Sequence, residues 1–295
     1  MTDRTIGWIG TGVMGAPMCH HLIENDFTTY IYNRTKEKAA RLIENGATWC
    51  ETPKRVAEES DYIFTIVGFP EDVREVVLGT DGIIEGMQEG AVLVDMTTSS
   101  PSLAEEIYRQ AKTKGASALD APVSGGDIGA KEGTLAIMVG GDEEIYDELL
   151  PIFHMLGENI SYMGEPGAGQ HTKMCNQILI ADTMIGVVES LLYAYKAGMD
   201  PDDVIDIIGK GAASSWSINN LGRRIAKGDY QPGFYIKHFI KDMGIALQEA
   251  KRMNLALPGL SLVHQFYTAA NAFGYEDLGT QGLYKILQHL NNISD

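Results

Sequence analysis

The chain has 295 residues, 44% of them hydrophobic and 21% charged. That profile excludes a disordered, collagen-like or coiled-coil protein as the main description and leaves two ordinary domains, or one large α/β domain. Against 23 Lys and Arg stand 40 Asp and Glu, a formal net charge of −17. A surface that acidic repels phosphate backbones, so no nucleic-acid partner is expected. An anionic ligand has to be held by a few local cations and backbone N–H groups.

The first half alternates short apolar runs with helical patterns. Strands are expected at 5–9, 29–32, 62–67, 91–95, 118–121 and 135–139, with a shorter one at 160–162. Helix-length segments such as 17–24 and 36–44 lie between them. Strands alternating with helices mean βαβ units and a mostly parallel, doubly wound sheet. The pattern changes at the breaker-rich joint Gly164-Glu165-Pro166-Gly167-Ala168-Gly169. From Thr172 onward Met174, Ile178, Ala181, Ile185, Val188 and Leu192 recur at steps of four and three, which is helix periodicity. Pro201 starts another helix with Asp200 as its cap; residues 215–227, 238–253 and 258–273 read as helices too. The expected organisation is an α/β domain over 1–163 and an all-α domain over 164–295.

The three cysteines, Cys19, Cys50 and Cys175, form no CxxC pair and are odd in number, which fits a reducing cytoplasm. Cys175 reads as a buried thiol on a helix. The N-terminus has no charged segment followed by an apolar run, so no signal peptide is expected. The apolar stretch 178–195 is interrupted by Asp182 and Glu189 and reads as a buried helix rather than a membrane span.

Gly10-Thr11-Gly12-Val13-Met14-Gly15 follows the first strand and opens a helix. In that context a GxGxxG turn is a dinucleotide-binding signal. Gly10 permits the tight turn, Gly12 lets backbone approach a pyrophosphate, and Gly15 lets helix and strand pack closely. At the end of the second strand an NAD site usually carries an acid; here the sequence is Asn33-Arg34-Thr35. Arg34 can meet a 2′-phosphate with Asn33 and Thr35 as donors, which favours NADP over NAD. Two further loops follow strand ends: Val67-Gly68 continuing to Val73, whose backbone would line the ribose, and Asp95 to Pro101, where hydroxyls such as Thr97 could reach the nicotinamide ribose. The Thr/Ser cluster also suits a helix cap before Pro101.

Asp120-Ala121-Pro122-Val123-Ser124-Gly125-Gly126 follows another strand. Ser124 with the N–H groups of Gly125 and Gly126 suits a small carboxylate, although a loop shaped by glycine explains the same residues. Lys173 begins an otherwise apolar helix, with Asn176 and Gln177 on the same face. It is either a functional ammonium or a surface lysine that snorkels. Lys241-Asp242 is a second isolated cation on an apolar helix, with an intrahelical surface pair as the alternative. The seven histidines form no HExxH or Cys/His cluster, so no metal is expected. Ser124 lacks the GxSxG context of a hydrolase.

Together these motifs resemble the β-hydroxyacid dehydrogenase family, which includes 3-hydroxyisobutyrate dehydrogenase and tartronate semialdehyde reductase. The resemblance rests on Gly10–Gly15, Asp120–Gly126, Gly167–Gln177 and Lys241-Asp242, in family order along nearly the whole chain. It implies a Rossmann-type sheet followed by the all-α domain, and NADP, alternatively NAD, as cofactor. It also implies that Lys173 is the catalytic acid/base, that Ser124, Gly125 and Gly126 bind the substrate carboxylate, that Asn176 positions the substrate, and that Lys241 closes over cofactor and substrate. Gln177 resembles the tartronate semialdehyde reductase branch, whereas Asn33-Arg34-Thr35 resembles glyoxylate and succinic semialdehyde reductases, so the substrate stays open. A lysine with a free pKa of about 10.4 needs burial to act near neutral pH. The apolar C-terminal helices and the resemblance point to a homodimer or homotetramer. The rivals are an imine reductase, which usually has another residue at the position of Lys173, and a non-catalytic NADP-binding sensor or scaffold, which would not need Lys173, Ser124 and Asn176 together.

Overall fold

The computed structural model describes residues 4–293. The chain divides into two compact units, Met1–Lys173 and Met174–Asp295. In the first, the order is β1 (Ile6–Ile9), α1 (Gly15–Glu24), β2 (Thr29–Tyr32), a 3-10 turn (Lys36–Ala39) leading into α2 (Ala40–Glu44), β3 (Thr48–Trp49), α3 (Pro53–Glu58), β4 (Tyr62–Thr65), α4 (Pro70–Leu78), α5 (Ile83–Gly86) and β5 (Val92–Asp95). There follow α6 (Pro101–Thr113), β6 (Ser117–Asp120), β7 (Val123–Ser124), α7 (Gly126–Glu132), β8 (Leu135–Gly140), α8 (Glu143–Leu156) and β9 (Gly157–Gly164).

The sheet runs β3-β2-β1-β4-β5-β6-β8-β7, with β9 beside β8. Strands β1 to β6 are mutually parallel, β8 is antiparallel to β6 and β7, and β9 is parallel to β8. The mostly parallel, Rossmann-like sheet expected from the βαβ alternation is therefore present. Alternate residues feed its two faces, as the two-residue period of a strand requires. Trp8, Tyr62, Phe64, Val92 and Val94 enter the core that also holds Met18, Leu22 and Phe153, whereas Ile9, Ile63 and Leu93 pack with Val73, Val77, Ile83, Leu103 and Ile107 on the other side. The order reverses between β1 and β4, the switch point beside whose carboxyl strand ends open α/β sheets bind ligands.

Helices α3 and α4 were not expected from the sequence but have ordinary start signals, and α6 begins at the cap expected before Pro101. Proline stands at the first position of α3, α4 and α6, and the hydroxyls of Thr52 and Ser100 accept the N–H groups of Arg55 and Leu103. The strand expected to reach Val67 stops at Thr65, because the Val67 N–H donates to the Thr97 hydroxyl at 3.0 Å instead of continuing the ladder.

α9 (Ala168–Lys196) spans the boundary between the units. The second unit continues with α10 (Pro201–Ile208), a π-helical turn (Ser217–Gly222) running into α11 (Arg223–Ala226), α12 (Ile236–Arg252), α13 (Pro258–Ala272) and α14 (Leu283–Leu290). As expected, Asp200 caps α10, its Oδ1 accepting the N–H of Asp202 at 2.8 Å. The segment 215–227 is not one α-helix but the π turn and α11; α14 is an additional helix. The core centres on Phe239 and Tyr267, whose rings meet edge to face at 5.0 Å.

Two expectations for α9 are corrected. It is not buried all round. Met174, Ala181, Met184, Val188 and Leu191 are buried, while Leu179, Asp182, Gly186, Glu189 and Tyr193 form an exposed stripe one turn apart. Cys175 begins that stripe and is exposed, because it follows the buried Met174 by one residue, about 100° around the helix.

Candidate active site

The Gly-rich turn lies at the chain ends of β1 and β4. Gly10 has φ +100°, and a Cβ placed on it would stand 2.1 Å from the Ile66 carbonyl oxygen. A Cβ on Gly15 would stand 2.0 Å from the Gly10 carbonyl oxygen. These two glycines are therefore required by the protein's own backbone. Gly12 differs: a Cβ there meets nothing within 4 Å. Beside it the Thr11 hydroxyl is buried and, among the described residues, has no hydrogen-bond partner. Val13 is exposed, Met14 is the residue before the first turn of α1, and the turn leaves open room over Gly12. Open space above one glycine and an orphaned buried hydroxyl next to it fit a pyrophosphate approaching backbone.

Asn33 staples the turn to the segment after β2. Its Oδ1 accepts the Thr11 N–H at 3.0 Å and its Nδ2 donates to the Thr35 carbonyl at 2.8 Å. Arg34 is 80% exposed, and its Nη1 stands 3.1 Å from Asp72 Oδ1. The other Asp72 oxygen accepts the Phe69 N–H at the start of α4. Thr35 is exposed, Val67 and Gly68 are half-buried, and Val73 is fully buried in the core beneath α4.

Within the first unit a series of hydrogen bonds joins the segments after β4, β5 and β6 to the start of the helix that carries Lys173. Val67 N–H donates to Thr97 Oγ1, and the Thr97 carbonyl accepts Gln170 Nε2 at 2.7 Å. Gln170 Oε1 accepts the Ser99 N–H at 2.9 Å. The Asp120 carboxylate takes the N–H groups of Gly167 and Gln170, each at 2.7 Å. Lys173 follows one turn later and is 6% exposed.

Two carboxylates end neighbouring strands here, paired in register as Asp95 and Asp120. Burial pushes Asp95 up to about 6, against the lowering effect of the Thr97 and Thr65 hydrogen bonds and with a smaller contribution from Asp120. Burial also raises Asp120, opposed by the Gly167 and Gln170 N–H groups. Neither acid was singled out in the sequence for a role, nor was Gln170. Their one visible signal is a polar residue closing an apolar strand, as in Val-Leu-Val-Asp and Ala-Leu-Asp, or opening an apolar helix.

Ser124 ends β7, and Gly125 and Gly126 have φ of +134° and +64°. Their backbone sits in the left-handed region, which glycine adopts without strain. Thr97 keeps its hydroxyl on the Val67 N–H, and Ser100 caps α6. The Ser99 hydroxyl is buried and without a partner among the described residues.

In the second unit Asn176 Nδ2 donates to Gln177 Oε1 at 2.7 Å, and Gln177 Nε2 donates to the buried Asp242 at 2.6 Å. Lys241 Nζ stands 3.1 Å from the other oxygen of Asp242, with 11% of its side chain exposed. Lys241 is thus not the surface half of an exposed pair. Its neighbour Asp242 ties α12 to α9.

Comparison with known proteins places the chain. Residues 5–164 match the family described as the NAD binding domain of 6-phosphogluconate dehydrogenase, and 167–287 that described as NAD-binding of NADP-dependent 3-hydroxyisobutyrate dehydrogenase. The uncharacterized oxidoreductase YkwC of Bacillus subtilis is 55% identical over 96% of this chain and 98% of its own. The 2-hydroxy-3-oxopropionate reductase of Escherichia coli is 39% identical over 97% of this chain and 98% of its own. Among solved structures, 3-hydroxyisobutyrate dehydrogenase of Mycobacterium tuberculosis with L-serine is 28% identical and superposes with a TM-score of 0.89, covering 97% of this chain and 99% of that one. The chain belongs to the 3-hydroxyisobutyrate dehydrogenase, or β-hydroxyacid dehydrogenase, family and is an NAD(P)-dependent oxidoreductase acting on CH–OH groups.

Proposed function

We propose that this enzyme interconverts a small β-hydroxy acid and its semialdehyde, that it prefers NADP, and that Lys173 is the general acid/base. The observation that carries the reading is the burial of Lys173 one turn beyond helix residues hydrogen-bonded to the ends of β5 and β6, in the same unit as the Gly-rich turn. Lysine is seldom buried to this degree, and a buried lysine is a group that enzymes use to move protons near neutral pH.

Gly10 to Gly15 would hold the pyrophosphate, with Thr11 as a hydroxyl partner, and Arg34 and Thr35 the 2′-phosphate. NADP is supported by the lack of an acid after β2, by the exposed guanidinium of Arg34 there, and by the NADP-dependent family matched over 167–287. When bound, the nicotinamide supplies or accepts the hydride. Ser124 and the N–H groups of Gly125 and Gly126 hold the substrate carboxylate. Lys173 gives a proton to the carbonyl oxygen during reduction and takes it from the hydroxyl during oxidation. Asn176 and Gln177, on the next turn of α9, orient the substrate. The substrate class is supported by two relatives: 2-hydroxy-3-oxopropionate carries its carbonyl, and L-serine its hydroxyl, two carbons from the carboxylate carbon. The exposed stripe with Leu179 and Tyr193 on α9 supports self-association, which sedimentation of the purified protein tests.

The deciding experiment follows absorbance at 340 nm with NADPH or NADH against a panel of short semialdehydes and glyoxylate. Reduction of a β-oxo acid with NADPH is expected, and Lys173→Ala should lower the rate by about 10²–10⁴ while cofactor still binds. Near-normal turnover in that variant disposes of the role of Lys173. Tight NADPH binding with no oxidation by any substrate points to a sensor instead.

A further inference from the structure

We propose that Asp120 and Gln170 are positioning residues that set the place of the Lys173 side chain; this rests on the reading of Lys173 as the acid/base. Four hydrogen bonds, all buried, join the start of α9 to the sheet. Asp120, the last residue of β6, accepts two backbone N–H groups, from Gly167 and Gln170, one through each carboxylate oxygen. The Gln170 side chain spends both ends on the segment after β5, accepting from Ser99 N–H and donating to the Thr97 carbonyl. Gln170 and Asp120 are almost completely shielded from water.

The seat is backbone on backbone. A Cβ on Gly169 would stand 2.3 Å from the Met138 carbonyl oxygen and 2.6 Å from that of Asp120, and one on Gly140 would stand 2.7 Å from the Gly169 nitrogen. The helix start therefore has no freedom to slide along the strands. Lys173 lies three residues beyond Gln170, so the two share a helix face, and any tilt of the first turn is passed to the ammonium. A neutral helix cap would satisfy the free N–H groups equally well. The carboxylate adds a charge-assisted bond on each oxygen, which holds two donors at fixed directions at once. The same Thr97 that receives Gln170 receives Val67 at the edge of the Gly-rich turn, so the lysine-bearing helix and that turn are referenced to one residue.

The test is a double-mutant cycle on kcat, per cofactor-binding site titrated with NADPH, with melting temperature recorded for each variant. Asp120→Asn keeps the shape but points an amide donor at a backbone donor; Gln170→Ala removes the bond to Thr97 and the acceptor for Ser99. Displacement of a catalytic group by about 1 Å can cost roughly 10²-fold. Each variant should lower kcat at least about tenfold, with NADPH affinity changed less than about threefold. In the Lys173→Ala background the same substitutions should lower kcat by less than about twofold, because nothing remains to be positioned. A merely structural role lowers both backgrounds alike, or lowers only melting temperature and the fraction of binding sites. Either result overturns the proposal. An active Lys173→Ala enzyme overturns the role of Lys173 and the proposal with it, whereas an inactive one beside fully active Asp120→Asn and Gln170→Ala overturns the positioning alone. Where Asp120→Asn does not fold, Gln170→Ala carries the same cycle.

Discussion

Gly10 and Gly12, two residues apart in one turn, should respond to the same substitution in opposite ways. Alanine at position 10 faces two costs. Its φ of +100° is strained for any side chain, about 1–3 kcal/mol, and its Cβ at 2.1 Å from the Ile66 oxygen forces β1 and β4 to shift, about another 1–3 kcal/mol. At about 2–4 °C per kcal/mol for a domain of this size, the melting temperature should fall by roughly 10 °C. Alanine at position 12 meets nothing within 4 Å and has no positive φ. Its fold should be unchanged or stabilised by about 0.4–1 kcal/mol through the unfolded chain. Its methyl, however, occupies the room proposed for the pyrophosphate, and an overlap costing about 1–3 kcal/mol weakens cofactor about 5- to 150-fold. Thermal melting and calorimetric titration with NADPH on the two variants separate these effects. A Gly12→Ala protein that binds NADPH as tightly as its parent removes the pyrophosphate from that space, and a Gly10→Ala protein with the parent's melting temperature refutes the steric argument at Ile66.

Arg34→Asp should shift preference from NADP toward NAD: a charge-assisted bond contributes about 1.5–3 kcal/mol, so 2′,5′-ADP affinity should fall about 10- to 150-fold while 5′-AMP affinity holds, and an unchanged ratio of the two dissociation constants refutes the 2′-phosphate role. Ser124→Ala should raise KM for the semialdehyde about tenfold with little change in NADPH affinity, as loss of one hydrogen bond to a charged group implies; an unchanged KM removes Ser124 from the carboxylate site. Asp95 makes stability pH-dependent. Its carboxyl is raised from 3.8 to about 6 in the fold, so the protonated form is the one the fold favours. The contribution is fully present below about pH 4 and lost as pH rises through about 6, a change on the order of 3 kcal/mol. Asp95→Asn has no such titration, so its stability relative to the parent should improve by about that amount between pH 4 and pH 7 in urea unfolding; a flat difference across that range refutes the assignment.

Much of the fold was legible because it rests on period and punctuation. Strands β1, β4 and β5 are buried on both faces and β2, β6 and β8 on one face or nearly so, so their residues read as mostly apolar runs. The change at Gly164 from strand-like runs to a helical period was equally plain. Helices α3 and α7 were harder, since each is short and presents few apolar residues. The first compact unit runs on to Lys173, past the 163/164 joint where the sequence pattern changes. The reason is polar: Asp120 and Gln170 bind the first turn of α9 to the sheet, and hydrogen bonds between residues 47 to 73 positions apart leave no periodic trace.

The same contrast separates the two parts of the candidate site. The Gly-rich turn is mostly local: its glycines fall within six consecutive residues, and the sequence displays them, although Asn33 and the Ile66 carbonyl also shape it. The placement of Lys173 is non-local. It depends on a carboxylate from β6, a loop carbonyl and N–H from the segment after β5, and two glycines that let backbone meet backbone. Each of these, read alone, has an ordinary explanation: a strand-terminal Asp, a Thr/Ser cap region, a Gly in a loop. Asn33 is the converse case. The sequence offers it as a donor to a ligand, and one N–H of its amide and its oxygen are also tied to backbone, so substituting it should loosen the Gly-rich turn as well. Polar residues at the strand ends of this chain therefore divide by what their second hydrogen-bonding atom meets. Those tied to backbone build the frame, and a buried atom without a partner among the described residues, such as the Thr11 hydroxyl, is open to a ligand.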